Sequence, residues 1–95
     1  MKNEPLRETP ICQSCGTPLQ DPNIRGSDEG KAKVHSYCIF CFKEGRFTEP
    51  RLTMEEMGWR IHRLLVQQAS IPAREAATLI DRLLPKLDRW RQGGR

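Results

Sequence analysis

Apolar positions in the second half of the chain recur every three to four residues, while those in the first half do not. Met54, Met57, Ile61, Leu64 and Leu65 form one stripe of an amphipathic helix. Trp59 and Val66 stand on its shoulder, and Arg60 and Arg63 lie opposite. The start of this helix is readable. Thr53 is an N-cap residue and Glu56 stands three positions on, the two halves of a capping box. Leu52 before the cap and Met57 after it supply a hydrophobic staple, and Glu55 and Glu56 meet the positive end of the helix dipole. The stripe fades near Ala69, and Ser70-Ile71-Pro72 makes a short break. Pro72 is expected in the first turn of the next helix, where a missing N–H costs nothing. Ala73, Ala76, Ala77, Ile80, Leu83, Leu84, Leu87 and Trp90 then form a second stripe. Pro85 falls inside it and disturbs the bond to the Asp81 carbonyl. Because the stripe keeps its phase past Pro85, the pattern predicts a kink rather than a stop, with Gly93 and Gly94 ending the helix. Two amphipathic helices with so short a joint predict an antiparallel hairpin.

Residues 11–50 hold every cysteine, four of the seven glycines and three of the seven prolines, which reads as turns and hairpins. Gly45 sits where a tight hairpin needs a positive φ, and Asp28 and Glu29 before Gly30 read as turn formers. The apolar set is thin: Ile11, Leu19, Ile24, Val34 and Ile39, with Tyr37, Phe40, Phe42 and Phe47 expected to cluster. Those four aromatics read as packing around the site and helices, with base stacking on nucleic acid as the sharper alternative. Residues 1–10 are polar, carry Pro5 and Pro10, and read as a flexible N-terminal tail.

Composition narrows the class. With 95 residues, of which 37% are hydrophobic and 29% charged, the chain can bury only a modest core and calls for a metal, disulfides or a partner. No stretch approaches the roughly 20 apolar residues of a membrane span. Met1 to Pro10 shows no apolar run after Lys2, so no secretory signal is read there and a cytoplasmic location is expected. Charge is uneven. Residues 1–50 are neutral, with seven Lys+Arg against seven Asp+Glu, and residues 51–95 supply the whole formal +4. Eight of the nine cations there are arginines. Arginine suits phosphate and carboxylate partners but is also an ordinary surface helix former.

The cysteines carry the chemistry. The pairs are Cys12-Gln-Ser-Cys15, followed by Gly16, and Cys38-Ile-Phe-Cys41, with twenty-two residues between Cys15 and Cys38. Each Cys-x-x-Cys turn aims two sulfurs at one centre, and Gly16 permits the positive φ that such a turn favours. Thiols stay reduced in the cytoplasm, so Cys12, Cys15, Cys38 and Cys41 read as the ligands of one structural zinc ion. Four thiolates close the tetrahedron and leave no position for a catalytic water. Iron in the same cage, as in rubredoxins, is the second reading, because tetrahedral sulfur accepts either metal. A dithiol redox pair lacks its βαβ setting, and structural disulfides are the last alternative. Structural zinc contributes about 10–16 kcal/mol in apparent terms, so residues 11–50 are expected to unfold without it.

Cys12-Gln-Ser-Cys15-Gly16-Thr17-Pro18-Leu19 resembles the opening of the bacterial and archaeal "putative zinc ribbon domain" family. So do Gly26 through Gly30, Tyr37-Cys38 with Cys41, Gly45-Arg46-Phe47-Thr48, Thr53-Met54-Glu55-Glu56-Met57, and Leu84-Pro85-Lys86-Leu87-Asp88-Arg89-Trp90. The resemblance runs from about Ile11 to Trp90. Thr17 replaces a frequent Met and Phe42 a usual Tyr, and neither is one of the four cysteines. It implies a zinc-binding ribbon with a helical tail and no enzyme. Some members are fused to transcription-regulator domains, which suggests a regulatory link.

These readings converge on a small α+β chain. A zinc ribbon of two knuckles with short β-hairpins spans 11–50, and a two-helix antiparallel tail spans 51–92, packed on the ribbon. The expected function is a non-catalytic structural zinc module that associates with a protein partner or with itself. The alternative is a nucleic-acid-binding regulator whose Arg82, Lys86 and Arg89 align with Arg60 and Arg63 on a basic face. A rubredoxin-like redox carrier comes last. No nucleophile–base pair, P-loop or dinucleotide glycine motif is visible, and no membrane or small-molecule substrate is implied. His35 reads as an exposed loop residue beside the second knuckle, and His62 as a partly exposed helix residue.

Overall fold

The computed structural model describes residues 10–91, so the expected tail over residues 1–9 and the helix stop at Gly93-Gly94 lie outside the described residues. The chain divides into two compact units, with the boundary between Pro50 and Arg51.

The first unit is built from two short antiparallel hairpins. A 3-10 turn, Pro22–Ile24, is capped by the Asp21 side chain and leads into β1 (Arg25–Ser27). β1 pairs with β2 (Lys33–Cys38), Arg25 facing Cys38 and Ser27 facing Lys33, with a bulge between them. The loop joining them is tied by Asp28. Its carboxylate accepts from the N–H groups of Gly30 (2.8 Å) and Ala32 (2.9 Å). Lys31, rather than Gly30, takes the left-handed conformation here, at φ 71°. The second hairpin joins β3 (Phe42–Lys43) to β4 (Arg46–Phe47) through Glu44 and Gly45, at φ 53° and 86°. Two successive positive φ values make the tight mirror-image turn that matches strand twist, and Gly45 accepts it without strain. The turn is seated on β1: the Glu44 N–H donates to Ser27 Oγ (3.0 Å) and the Gly45 N–H to the Ser27 carbonyl (3.0 Å).

Tyr37, Phe42 and Phe47 close against one another. Tyr37 stacks on Phe42 at 5.1 Å, and Phe47 meets both edge-on at 5.0 and 5.3 Å. Each such pair adds about 0.5–1.5 kcal/mol beyond its buried area. Phe40 does not join them. It is 78% exposed at the tip of the second Cys-x-x-Cys turn, where the backbone turns its side chain away from the sulfurs.

In the second unit, α1 (Met54–Gln67) begins at the expected capping box. The Glu56 N–H donates to Thr53 Oγ1 (3.1 Å) and the Thr53 N–H to Glu56 Oε1 (3.0 Å). Leu52 and Met57, on either side of the cap, are both buried. α2 (Ala73–Leu83) starts one residue later than expected: Pro72 is its N-cap, at ψ 144°, and Ala73 its first helical residue. The helices run antiparallel, because His62 Nε2 lies 3.1 Å from the Ala73 carbonyl while Gly58 faces Ile80 and Leu84. At Pro85 the chain stops rather than kinks. α2 ends at Leu83, a 3-10 turn covers Leu84–Lys86, and Leu87 is extended at ψ 147°. A proline inside the helix leaves the Asp81 carbonyl without its donor, and the chain relaxes into the tighter turn. The apolar phase survives all the same, since Leu84, Leu87 and Trp90 are buried. The stop breaks the expected basic stripe: Arg82 is on α2, Lys86 in the 3-10 turn, and Arg89 lies beyond the extended residue with its guanidinium 4.6 Å from the Trp90 ring. No helix among the described residues is long and apolar enough to cross a membrane.

Candidate metal centre

The first cysteine pair sits in a miniature hairpin. Ile11 bridges Pro18, the Cys12 N–H donates to the Thr17 carbonyl (2.8 Å), and the Leu19 N–H donates to that of Pro10 (2.9 Å). Inside it the Gly16 N–H donates to the Cys12 carbonyl (2.8 Å), and Gly16 adopts φ 83°, the left-handed geometry the knuckle needs. The N–H groups of Ser14 and Cys15 point at Cys12 Sγ, at 3.4 and 3.5 Å. Donors aimed at a sulfur stabilise its thiolate.

Cys38 ends β2, and the chain turns at once so that the Cys41 N–H donates to the Cys38 carbonyl (3.1 Å). Thr48 fixes the exit from this turn. Its N–H donates to the Cys41 carbonyl (2.9 Å) and its hydroxyl to the Phe40 carbonyl (2.7 Å). The two knuckles are joined by backbone: the Gln13 N–H donates to the Ser36 carbonyl (2.7 Å). Arg25 Nε donates to the Leu19 carbonyl (2.8 Å), which ties the end of the first knuckle to β1.

The result is one cluster. The sulfurs of Cys12, Cys15, Cys38 and Cys41 all lie within 4.8 Å of one another, and three of the four residues are buried. A tetrahedron with metal–sulfur bonds of 2.3 Å has edges of about 3.8 Å. Cys15 Sγ and Cys38 Sγ stand 3.8 Å apart. A disulfide requires about 2.05 Å, and all four cysteines are free. The donor set therefore fits a tetrahedral, thiophilic metal ion.

Four sulfurs this close compete for protons. Cys12 is held far below the ordinary thiol value, first by the hydrogen bond from Cys15 and then by those from Cys38 and Cys41. Cys15 and Cys41 are driven up, chiefly by their hydrogen bonds to Cys12. Cys38 falls to about 7: Cys12 pushes it up, and hydrogen bonds from Cys15 and Cys41 outweigh that push. A divalent cation held by Cys12, Cys15, Cys38 and Cys41 would favour the thiolate form of all four.

Neither histidine joins the cluster. His35 lies on β2 rather than in a loop, exposed, with Nδ1 3.1 Å from Arg25 Nη1. His62 is on α1, half-buried beside the start of α2. Two residues that matter to the centre carried weaker signals. Ser14 is fully buried between the first two cysteines. Gly26 in β1 lies so close to the second knuckle that a Cβ would strike the Phe42 carbonyl oxygen and stand 3.1 Å from that of Cys38. An isolated glycine within a strand is the sequence sign of such an approach.

Comparison with known families matches this arrangement. The sequence model of the family described as "Putative zinc ribbon domain" covers residues 11–91. The chain belongs to that family. The two antiparallel hairpins and the four convergent cysteines are the zinc ribbon, and the family match extends through both helices. No curated protein and no solved structure matches this zinc ribbon protein.

Proposed function

We propose that this zinc ribbon is a non-catalytic structural zinc module that works by associating with another protein. The carrying observation is the sulfur cluster. Four protein thiols at tetrahedral spacing supply a complete coordination shell, and a shell of that kind leaves no position where water or substrate could be activated. Zinc is the ion the family description favours, and cysteines that must stay reduced suit the cytoplasm.

Association is supported by the surface. Phe40, Trp59, Leu64 and Leu79 are large apolar side chains at least half exposed, in a chain with only 6% aromatic residues. Of these, Trp59 borders a contiguous groove with Met54, Ile80 and Leu84, and contiguous exposed apolar surface marks interaction sites. The phosphate-binding reading has less support, because Arg82, Lys86 and Arg89 are spread over α2, the 3-10 turn and the chain beyond the extended Leu87 rather than one continuous helix.

Elemental analysis of the purified protein with a free-thiol count tests the core of the proposal. One zinc per chain and four thiols released on denaturation are expected, and iron or a substoichiometric metal refutes it. Fluorescence anisotropy with mixed nucleic acids at low salt separates the alternative, since phosphate contacts are strongest there. Tight, salt-sensitive binding would replace protein association as the function.

A further inference from the structure

The helical unit carries a groove that the zinc reading leaves unused. α1 and α2 approach closely at Gly58, where a Cβ would stand 3.5 Å from Ile80 and 3.8 Å from Leu84. A cleft of about 540 Å³ opens there, lined by Trp59 of α1 and by Ile80, Leu84 and Pro85. Gly58 and Ala77 keep it open because neither fills it with a side chain. Trp59 is 62% exposed there, and tryptophan is the residue most enriched where binding energy concentrates.

Charge identifies the occupant. The chain holds 16 Lys+Arg, yet no lysine or arginine lines this groove. Its acidic side chains are Glu55 and Asp81, both exposed, with His62 also in the lining, and no ion pair among the described residues engages either carboxylate. An apolar trough flanked by unpaired carboxylates complements an apolar anchor flanked by cations. Among the described residues, no third α-helix closes these two antiparallel helices into a small bundle. α1, at 14 residues, is about 21 Å long and can pack along a partner of three to four turns. A second copy fits less well, because a two-fold contact centred on the groove sets Glu55 and Asp81 of one chain against the same carboxylates of the other.

We infer that the groove between α1 and α2 is the docking site for a basic amphipathic helix of a partner protein. The inference rests on the protein-association reading above and names its surface.

The test uses the full zinc-loaded chain and a fluorescein-labelled 14-residue amphipathic helix of leucine and lysine. Two control peptides replace lysine by glutamate, or leucine by serine at unchanged charge. Anisotropy is expected to show the leucine–lysine peptide binding about tenfold or more tighter than either control, each tenfold being about 1.4 kcal/mol. Amide shifts should centre on Gly58 and Ala77. Ala77→Trp, which fills the groove at an exposed position, should abolish binding while the circular dichroism spectrum is unchanged. E55Q/D81N should weaken it and flatten its salt dependence, and Arg60→Gln, on the side of α1 turned away from Gly58 and His62, should leave it intact. Equal binding of all three peptides, no binding at millimolar concentration, or full binding by Ala77→Trp overturns the inference. A dimer in sedimentation equilibrium that Ala77→Trp dissolves overturns it in favour of a second copy. A chain that fails the peptide test but carries one zinc loses only this groove; a chain without zinc loses the module reading, whatever the peptide does.

Discussion

Replacing Gly26 by alanine should weaken zinc binding although residue 26 touches no metal. The backbone there is not left-handed, so alanine meets no dihedral penalty and the cost is steric alone. Its methyl group would overlap the Phe42 carbonyl oxygen and press on the Cys38 carbonyl 3.1 Å away. Both carbonyls belong to backbone that positions the second pair of sulfurs, so the strain cannot be relieved by a rotamer change. Overpacking of this kind costs about 1–3 kcal/mol. Because folding of the ribbon is coupled to metal binding, the same energy should appear as zinc affinity reduced by about 5- to 150-fold. Competition against a chromophoric chelator measures it directly. Gly30→Ala is the matched control: its Cβ would meet only Asp28 Oδ1 at 3.5 Å, on an exposed loop, so affinity should change by less than about 0.5 kcal/mol. If Gly26→Ala holds zinc as tightly as the parent, or if Gly30→Ala loses as much, the steric reasoning is wrong.

Thr53→Ala removes the acceptor for the Glu56 N–H and should destabilise the helical unit by about 1 kcal/mol; thermal melts followed at 222 nm should fall accordingly, and an unchanged melt contradicts the capping role. Leu84→Ala empties a buried position beneath the groove and should cost about 2–5 kcal/mol in chemical denaturation, whereas a loss under 1 kcal/mol would mean that the site collapses around the gap. Acid should strip the metal. Binding displaces protons from thiols, so the bound sulfurs have depressed pKa values and the stabilisation they provide is lost as pH falls; an affinity that stays flat between about pH 8 and about pH 5 would rule out thiolate ligation. Chelation at neutral pH should erase the hairpin signals of residues 11–50 in amide spectra, and their persistence would show that the ribbon folds on its hydrophobic contacts alone.

What could be read from sequence was whatever depends on a few neighbouring residues. The capping box needs only Thr53 and Glu56, and both of its bonds are present. Gly16 and Gly45 occupy the positive-φ positions that their turns demand. The convergence of four sulfurs follows from two paired motifs, because each turn orients its own pair. Features that depend on distant partners were not legible. Asp28 was readable as a turn former, but not that its carboxylate would capture both the Gly30 and Ala32 N–H groups while Lys31 takes the left-handed position. Phe40 is as apolar as its aromatic neighbours, and only the path of the knuckle sends it outward. The apolar stripe ran unbroken through Pro85 because burial continues there, while the helix itself ends. The groove was invisible because it is made by what Gly58 and Ala77 lack.

The reciprocal cap at Thr53 has a practical corollary. Two donors at the head of α1, the Thr53 and Glu56 N–H groups, are met within residues 53–56, so the signal that starts that helix is local. A synthetic peptide beginning at Arg51 would carry its own initiation signal.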